Sequence, residues 1–411
     1  MTELVDVDVA LTRELERTGT AHNHITVKQT PRASSPRGRR VPPELGQIVL
    51  VLQGGGALGA YQIGVYQALH EAGIEPDWVI GTSIGAINAS LIAGNAPAER
   101  ISKLEEFWSR MRHPSWLGFA QSLGLAGPQL ANALTVLNGI PSFFSPNPLA
   151  FLGPHVPLGA DAAGYYDTTP LAKTLAELVD LEWINSGTTR LTVGAANVRT
   201  SEMRYFDSRD MRLDLRHIMA SGALPPAFPA VRIEDELYWD GGILSNTPVE
   251  AVFDDQPRQN SVVFAVHIWN PHGPEPQTMW EVMNRQKDIQ YSSRAVSHIT
   301  RQKQMHRLRH VIAELARRLP DGERTRKDMR ELAAYGCLTR MHVVRLLAQP
   351  LDGEDHTKDI DFTASGIKTR WEAGYRDASS VLEAAPWSGD FDPVEGFILH
   401  EAYPGVVMTA G

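Results

Sequence analysis

A strand that ends in three consecutive glycines constrains this chain more than any other stretch. Ile48–Leu52 is continuously apolar and rich in β-branched residues, which is typical of a parallel strand buried on both faces. Gly54, Gly55 and Gly56 follow, and a backbone without Cβ atoms can turn sharply and approach a ligand closely. Apolar residues at helical spacing come next. The stretch therefore predicts a strand, a glycine loop and a helix, as in α/β folds.

A second sharp turn follows the predicted strand Trp78–Ile80. The pentapeptide from Gly81 to Gly85, GTSIG, fits the G-x-S-x-G nucleophile elbow, which holds a serine between a strand and a helix. Two glycines relieve backbone crowding in such a strained turn, and the helix N-terminus behind it favours negative charge. Ser83 is therefore the candidate nucleophile, with Gly81 and Gly85 as supporting residues.

A nucleophilic serine needs a base and hydrogen-bond donors for the oxyanion. Neighbouring parallel strands bring their loops to the same carboxyl edge of a sheet, so we expect the glycine loop to face Ser83. Asp240 follows a short predicted strand and is the candidate base at that edge. The candidate oxyanion hole comprises Gly54, Gly55, Gly56 and Ala57, with the amides near Gly55, Gly56 and Ala57 as donors. Further glycines that support the motifs are Gly59, Gly241 and Gly242.

Four motifs in this order resemble those of the patatin-like phospholipases and acylhydrolases. They are GGGALG, GTSIG, the block from Ala220 to Pro229 and DGG, and they fall within residues 47 to 250. The resemblance implies an α/β three-layer sandwich with a mostly parallel central sheet. It also implies a serine acyl hydrolase with a Ser–Asp dyad and no histidine, in which Ser83 is the nucleophile, Asp240 the base, and Gly54, Gly55 and Gly56 frame the oxyanion hole.

The chain divides into three predicted regions. Residues 1–45 include a basic, proline-rich stretch and predict a flexible arm, and residues 46–275 predict the catalytic domain. Residues 276–411 predict a mainly helical extension, similar to one carried by a bacterial subset of the family. Within it we expect helices over 279–319 and 362–384, a strand over 341–347, and an irregular final stretch of about 20 residues.

One segment of the catalytic domain carries no charge. Residues 114–160 contain no Asp, Glu, Lys or Arg, and they are rich in aromatic residues and proline. Irregular packing over the core and an apolar lid are both consistent with this composition. We interpret the segment as a lid-like insertion that covers an acyl groove, with Phe143 and Phe144 in its wall.

Leu58 departs from the family pattern, because many members carry Arg or Lys at this place in the glycine motif. A missing positive charge there argues against phosphate recognition more than against ester hydrolysis. Phospholipids, lysophospholipids, neutral acylglycerols and an intracellular hydroxyalkanoate polyester are all candidate substrates, so a polyester depolymerase is an alternative function. A catalytically inactive lipid-binding protein on the same fold is another.

Two further alternatives use the same residues differently. The spacing of Gly54, Gly56 and Gly59 also fits a dinucleotide-binding fingerprint. That fingerprint requires an acidic residue at the end of the second strand, where this chain has the GTSIG elbow. Asp77 precedes the strand instead. An α/β-hydrolase triad with His267 or His272 as base is the other alternative.

Composition limits the partners. The net charge of −9 argues against nucleic acid, and no apolar run is long enough to span a membrane. The single cysteine and the lack of a signal-like N-terminus predict a cytoplasmic protein. Residues 285–328 carry 12 Lys and Arg against five Asp and Glu, so peripheral contact with an anionic membrane is an additional hypothesis. The dyad needs no metal, and we expect no cofactor.

Overall fold

A mixed sheet of eleven strands runs through the residues that the computed structural model describes. These residues are 25–28, 41–112, 128–351, 354–392, 395–403 and 406–410. The strands of the sheet are β1 (Ile25–Lys28), β2 (Gln47–Leu52), β3 (Trp78–Thr82), β6 (Arg190–Asn197), β7 (Met203–Asp207), β8 (Val231–Ile233), β9 (Glu236–Asp240), β10 (Ser261–His267), β11 (Met341–Leu347), β12 (Phe397–Tyr403) and β13 (Val406–Ala410). A separate hairpin pairs β4 (Ser145–Pro146) with β5 (Tyr166–Asp167).

The centre of the sheet is parallel. Its order is β1-β13-β12-β11-β10-β2-β3-β6-β9-β8, with β7 also beside β6. The pairs from β12 to β6 are parallel, and antiparallel strands flank them at both ends. Because β2 and β3 are parallel neighbours, the glycine loop and the Ser83 turn leave the sheet at the same carboxyl edge.

Helices cover both faces of this sheet. They are α1 (Ala60–Glu71), α2 (Ile84–Ala93), α3 (Pro97–Arg110), α4 (Pro128–Asn138), α5 (Thr169–Leu178), α6 (Leu181–Asn185), α7 (Leu215–Ser221), α8 (Glu250–Phe253), α9 (Met279–Arg318), α10 (Asp321–Arg324), α11 (Lys327–Ala333) and α12 (Ala364–Ala384). Short 3₁₀ turns occupy Pro43–Leu45, Gly56–Gly59, Pro148–Leu152, Gly241–Ile243, Lys358–Ile360 and Pro386–Ser388.

Alternating side chains of β2 separate two hydrophobic cores. Leu50 and Leu52 pack into the larger core with α1, α2, α3 and α12. Val49 and Val51 face the smaller core, which α8 and Ile299 of α9 cover. A strand that buries both faces in this way must be apolar throughout, as its sequence is. The predicted three-layer α/β architecture with a mostly parallel sheet is confirmed.

The extension completes the sheet. The described part of the extension contains helices α9, α10, α11 and α12, as expected for a mainly helical region. It also contains the predicted strand over Met341–Leu347. The prediction of an irregular C-terminal stretch is wrong, because β12 pairs in parallel with β11 and β13 pairs with β12. In the sequence, Pro393 and Pro404 favour irregular structure. The strand that pairs with β12, β11, is separated from it in the chain by the whole of α12. Local sequence cannot indicate such a distant partner.

Two glycines let the extension lie directly on the catalytic region. A Cβ on Gly64 of α1 would lie 1.9 Å from the carbonyl oxygen of Trp371 in α12. In the reverse direction, a Cβ on Gly374 would lie 2.0 Å from the carbonyl oxygen of Tyr61. The backbones of α1 and α12 therefore touch, and they share the larger core. The extension is part of the same folded unit as the Ser83 region.

Parts of two predicted segments lie outside the described residues. Most of the predicted arm, residues 1–45, is outside the description. The exceptions include Ile25–Lys28, which pairs with β13, and Pro43–Leu45, which forms a 3₁₀ turn. Residues 113–127, which hold the start of the charge-free segment, are also outside. Among the helices that are described, none is both long enough and apolar enough to cross a membrane.

Candidate active site

Ser83 occupies a strained turn between β3 and α2. Its φ of 57° and ψ of −127° lie where residues with a Cβ are rarely found. A Cβ on Gly81 would lie 2.3 Å from the carbonyl oxygen of Gly85, and a Cβ on Gly85 would lie 2.2 Å from the carbonyl oxygen of Leu52. Both flanking glycines are therefore required by close backbone contacts, which is the physical basis of the elbow motif.

Ser221 and Ala223 hold the two candidate catalytic residues in place. The amide of Ser83 lies 3.1 Å from both the carbonyl oxygen and the hydroxyl of Ser221. The Ser221 hydroxyl donates to the carbonyl oxygen of Gly194 at 2.6 Å. The amide of Asp240 donates to the carbonyl oxygen of Ala223 at 2.9 Å. The block that begins at Ala220 thus fixes the backbone on both sides of the site.

Asp240 reaches Ser83 through the register of the sheet. Its strand, β9, runs antiparallel to β6 and places Asp240 opposite Ala195. The preceding residue of β6, Gly194, is opposite Thr82 of β3. The register therefore brings the Asp240 carboxylate to the same cavity as Ser83, across one intervening strand. The amide of Gly242 donates to Oδ1 of the same carboxylate at 2.7 Å.

Burial changes the acidity of Asp240. Its side chain is 2% exposed, and removal from water raises its pKa from 3.8 to about 6. The hydrogen bonds from Ser83 and Gly242 act in the opposite direction, because they stabilise the charged form. The net effect makes the carboxylate a stronger base than an ordinary aspartate while leaving it ionised at neutral pH.

The glycine loop is anchored through Gly54. Its amide donates to the carbonyl oxygen of Asn246 at 3.1 Å, and its own carbonyl accepts from Asn246 Nδ2 at 3.0 Å and Trp269 Nε1 at 2.8 Å. The Gly54 amide is therefore already used within the protein, so Gly54 frames the cavity without serving as an oxyanion donor. Gly55 and Gly56 line the cavity beside Ser83, and Ala57 is buried outside that lining.

A cavity of about 260 Å³ joins these groups to an apolar wall. Phe143 and Phe144, only 8% and 7% exposed, form part of that wall. Their rings pack against Phe228 at centroid distances of 6.2 and 5.4 Å. The remaining lining comes from Gly54, Gly55, Gly56, Ser83, Ile84, Ile87, Thr135, Val136, Tyr166, Gly222, Leu224, Ala227, Phe228, Asp240, Gly242, Asn246, Trp269, Tyr291, Asp359, Ile360 and Phe362.

Family comparison agrees with this geometry in both halves of the chain. The family model described as "Patatin-like phospholipase" matches residues 50–253. A second model, DUF3734, described as "Patatin phospholipase", matches residues 289–394. The chain belongs to the patatin-like phospholipase family. The sequence resemblance is thereby confirmed, and the second match shows that the extension recurs in other members.

Individual relatives share short stretches with this patatin-like chain. Mouse "Patatin-like phospholipase domain-containing protein 6" is 46% identical over 63 residues, which are 15% of this chain and 5% of that protein. "Lysophospholipase nte1" of Aspergillus terreus is 60% identical over 47 residues, 11% of this chain and 3% of that protein. The chain therefore matches only a small part of these longer proteins.

The solved structure of VipD from Legionella pneumophila is also similar to this chain. The similarity covers 89% of this chain and 71% of VipD, with 16% sequence identity and a TM-score of 0.33. A similarity at this level carries no conclusion about the site.

The alternative assignments lack support in the site of this patatin-like protein. His267 is 1% exposed and, like His272, is absent from the cavity lining, and burial together with the charge of Arg345 lowers its pKa well below the usual range. Asp77, the acidic residue that precedes β3, accepts a hydrogen bond from the Ile48 amide at 2.8 Å. It lies at the opposite edge of the sheet from the glycine loop.

Leu58 lies away from the catalytic cavity. Its side chain is 5% exposed and lines a separate small cavity with Tyr61, Ile268 and Arg370. The expectation that this position places or removes a charge near the oxyanion donors is therefore wrong for this chain. The 3₁₀ turn Gly56–Gly59 places the Leu58 side chain in the larger core.

Sequence reasoning missed the part of the cavity that the extension provides. Tyr291 comes from α9, and Asp359, Ile360 and Phe362 come from the turn before α12. Asn246, which anchors Gly54, was also missed. No local motif surrounds these residues, and only the Asn246 position, four residues after Gly242, offers a spacing signal.

The buried carboxylate predicts a pH-dependent stability difference. The pKa of Asp240 is about 6 in the folded protein and about 3.8 in the unfolded chain, so ionisation of Asp240 lowers the free energy of unfolding as pH rises from 3.8 to 6. Asp240→Asn removes this loss of stability. The variant should be more stable than the wild type at pH 8, by up to about 3 kcal/mol, and of similar stability at pH 3.5. Melting temperatures at both pH values measure this, and a pH-independent difference would contradict it.

Proposed function

We propose that this protein is a serine acyl hydrolase that cleaves carboxylic esters of lipids through a Ser83–Asp240 dyad and an acyl-enzyme. The observation that carries the proposal is that Ser83 and the buried Asp240 carboxylate line the same cavity, whose other walls are mostly apolar. Family membership and the strained elbow support it. The polar pair supplies the chemistry, and the apolar wall suits an acyl chain.

The proposed reaction has two steps. Asp240 takes the hydroxyl proton while Ser83 Oγ attacks the ester carbonyl, and the amides of Gly55 and Gly56 donate to the oxyanion. Collapse breaks the bond to the alcohol, which leaves with the proton held by Asp240. A water molecule then loses a proton to Asp240 and attacks the acyl-enzyme, and Ser83 regains its proton when the fatty acid departs.

Substitution of the dyad tests the proposed mechanism. Ser83→Ala removes the nucleophile and Asp240→Asn removes the base, so each should lower kcat for p-nitrophenyl butyrate by at least 1,000-fold, on the order seen when members of catalytic triads are removed. A fluorophosphonate probe should label the wild type and fail to label Ser83→Ala. Because the carboxylate must be ionised, kcat/KM of the wild type should rise with pH to a plateau, with a midpoint near 6.

A second serine on the same helix provides the control. The hydroxyl of Ser90 in α2 donates to the carbonyl oxygen of Ile87 at 2.8 Å and is outside the cavity lining. Ser90→Ala should keep both turnover and labelling. Substantial turnover by purified Ser83→Ala would refute the dyad, and an unlabelled, inactive wild type would favour an inactive lipid-binding protein.

We also propose that the cavity wall formed by Phe143, Phe144 and Val136 holds the acyl chain. Val136 lines the cavity although it is 50% exposed, so it lies at the mouth, where a substitution has little effect on folding. Its neighbour Leu137 is 70% exposed and outside the lining. Comparing substitutions at Val136 and Leu137 therefore separates an effect on the groove from a general effect of adding charge to α4.

Val136→Asp should therefore change chain-length selectivity. A carboxylate in the groove should lower kcat/KM for an octanoyl ester at least tenfold, which corresponds to about 1.4 kcal/mol of lost transition-state binding. Turnover of the acetyl ester should change much less, because its acyl group is too short to reach the wall. Leu137→Asp should leave the ratio unchanged. Equal losses on both esters from Val136→Asp would refute the groove.

Peripheral membrane contact is proposed for the turn Pro148–Leu152. Leu149, Phe151 and Leu152 are 45%, 86% and 60% exposed, and the turn belongs to the charge-free segment that also supplies Phe143 and Phe144. Several cations of the basic region are instead paired within the protein, as Lys287 is with Asp359. The exposed apolar side chains of this turn favour insertion into lipid over electrostatic attraction by the basic helix.

Flotation with liposomes distinguishes these two modes. Phe151→Asp should lower binding to vesicles of phosphatidylcholine severalfold, because it removes a ring that would enter the acyl region. Leu332→Asp, at a leucine of the extension that is 58% exposed, is the control and should bind as the wild type does. Binding that needs phosphatidylglycerol and is unaffected by Phe151→Asp would point to the basic helix instead.

A further inference from the structure

The extension forms one wall of the catalytic cavity. Tyr291, Asp359, Ile360 and Phe362 all line it, although they lie at least 200 residues after Ser83 in the chain. Phe362 packs edge-on against Phe143 with ring centroids 6.0 Å apart. The cavity is therefore incomplete without the region that matches DUF3734.

Two crossed ion pairs join α9 to the turn Lys358–Ile360. Lys287 Nζ lies 2.7 and 2.9 Å from the carboxylate oxygens of Asp359, and it also donates to the carbonyl oxygen of His356 at 2.8 Å. The next residue, Asp288, accepts from Lys358 Nζ at 2.7 Å. Because consecutive residues on one element pair with consecutive residues on the other, the two pairs fix both the position and the rotation of the turn.

The two pairs differ in burial. Lys358 and Asp288 are 7% and 12% exposed in their side chains, whereas Lys287 and Asp359 are 32% and 22% exposed. Removing one partner of the buried pair would leave a charge without compensation and destabilise the fold. The more exposed pair contributes less to stability, so its removal tests position with a smaller effect on folding.

This turn presses directly on the glycine loop. Gly56 has a φ of +56°, and a Cβ there would lie 2.2 Å from the carbonyl oxygen of Asp359. The opposite side of the loop is tied to the same helix, because the Tyr291 carbonyl accepts from Asn246 Nδ2 at 3.2 Å, and Asn246 also holds Gly54. Helix α9 is thus linked to the loop from two directions, through the turn at Asp359 and through Asn246.

We propose that the Lys287–Asp359 ion pair positions the oxyanion loop, so that Lys287 and Asp359 are positioning residues for hydrolysis at Ser83. The inference rests on the proposed acyl transfer and gives the extension its role in that reaction. Oxyanion donors act only when they point at the place where the negative charge develops, and loss of one donor typically lowers kcat 100- to 1,000-fold. A shift of the turn at Asp359 moves Gly56 directly, since their backbones are in contact.

The test compares kcat with KM for p-nitrophenyl acetate, whose acyl group is too short to depend on the distant groove. Lys287→Met should lower kcat about tenfold or more, change KM less than twofold, and shift the melting temperature by no more than about 2 °C. Asp359→Asn should have the same effect, and the double variant should be no worse than either, because both remove one interaction. Lys287→Arg, which keeps the charge, should recover most of kcat.

Arg110→Met is the matched control. Arg110 pairs with Glu106 and Glu177, its side chain is 31% exposed, and it is outside the cavity lining. It should retain wild-type kcat. Wild-type kcat in Lys287→Met and Asp359→Asn would overturn the positioning role, and so would additive losses in the double variant or an equal loss in Arg110→Met. Failure of the proposed function itself is seen separately, as a wild type that neither turns over the ester nor is labelled at Ser83.

Discussion

The strained backbone of Ser83 is the constraint on which the site depends. A serine at φ 57° and ψ −127° is held there only because its surroundings leave no alternative. Gly81 and Gly85 allow the backbones of β3, α2 and β2 to meet within distances that any Cβ would prevent. Ser221 then holds the Ser83 amide from the opposite side. The Ser83 backbone is in this way held in one conformation at the carboxyl edge of the sheet.

The aspartate is controlled by burial. An exposed Asp with an ordinary pKa would be a weak base for a serine hydroxyl, whereas burial raises the pKa of Asp240 to about 6. The same burial makes the charged form costly to the folded state at neutral pH. Gly242 limits that cost through its amide hydrogen bond to Oδ1. Stability and basicity at this site are therefore opposed, and the hydrogen bonds set the balance between them.

The extension and the catalytic region depend on each other. Strand β11 continues the parallel sheet from β10, α12 touches α1 through Gly64 and Gly374, and the turn at Asp359 touches Gly56. These contacts join the extension to the glycine loop through packed backbone. The extension, which carries no recognisable catalytic motif, thus forms part of the cavity that contains Ser83.

The sequence by itself determined the local features of this protein. Continuous apolar strands, the glycine loop and the G-x-S-x-G turn are short-range patterns whose backbone requirements are visible in the residues, so the α/β architecture, the elbow at Ser83 and the candidate Asp240 could be predicted. Phe143 and Phe144 could also be selected, because a long charge-free segment is rare in a folded protein.

Only the tertiary structure decided how distant segments meet. It brought Asp240 to Ser83 by the register of an antiparallel strand, occupied the Gly54 amide with Asn246, and turned Leu58 into the core. It also paired β12 and β13 with the sheet and placed Asp359 and Phe362 in the cavity wall. Each of these outcomes depends on contacts between residues far apart in the chain, and local propensity and spacing carry no information about such contacts.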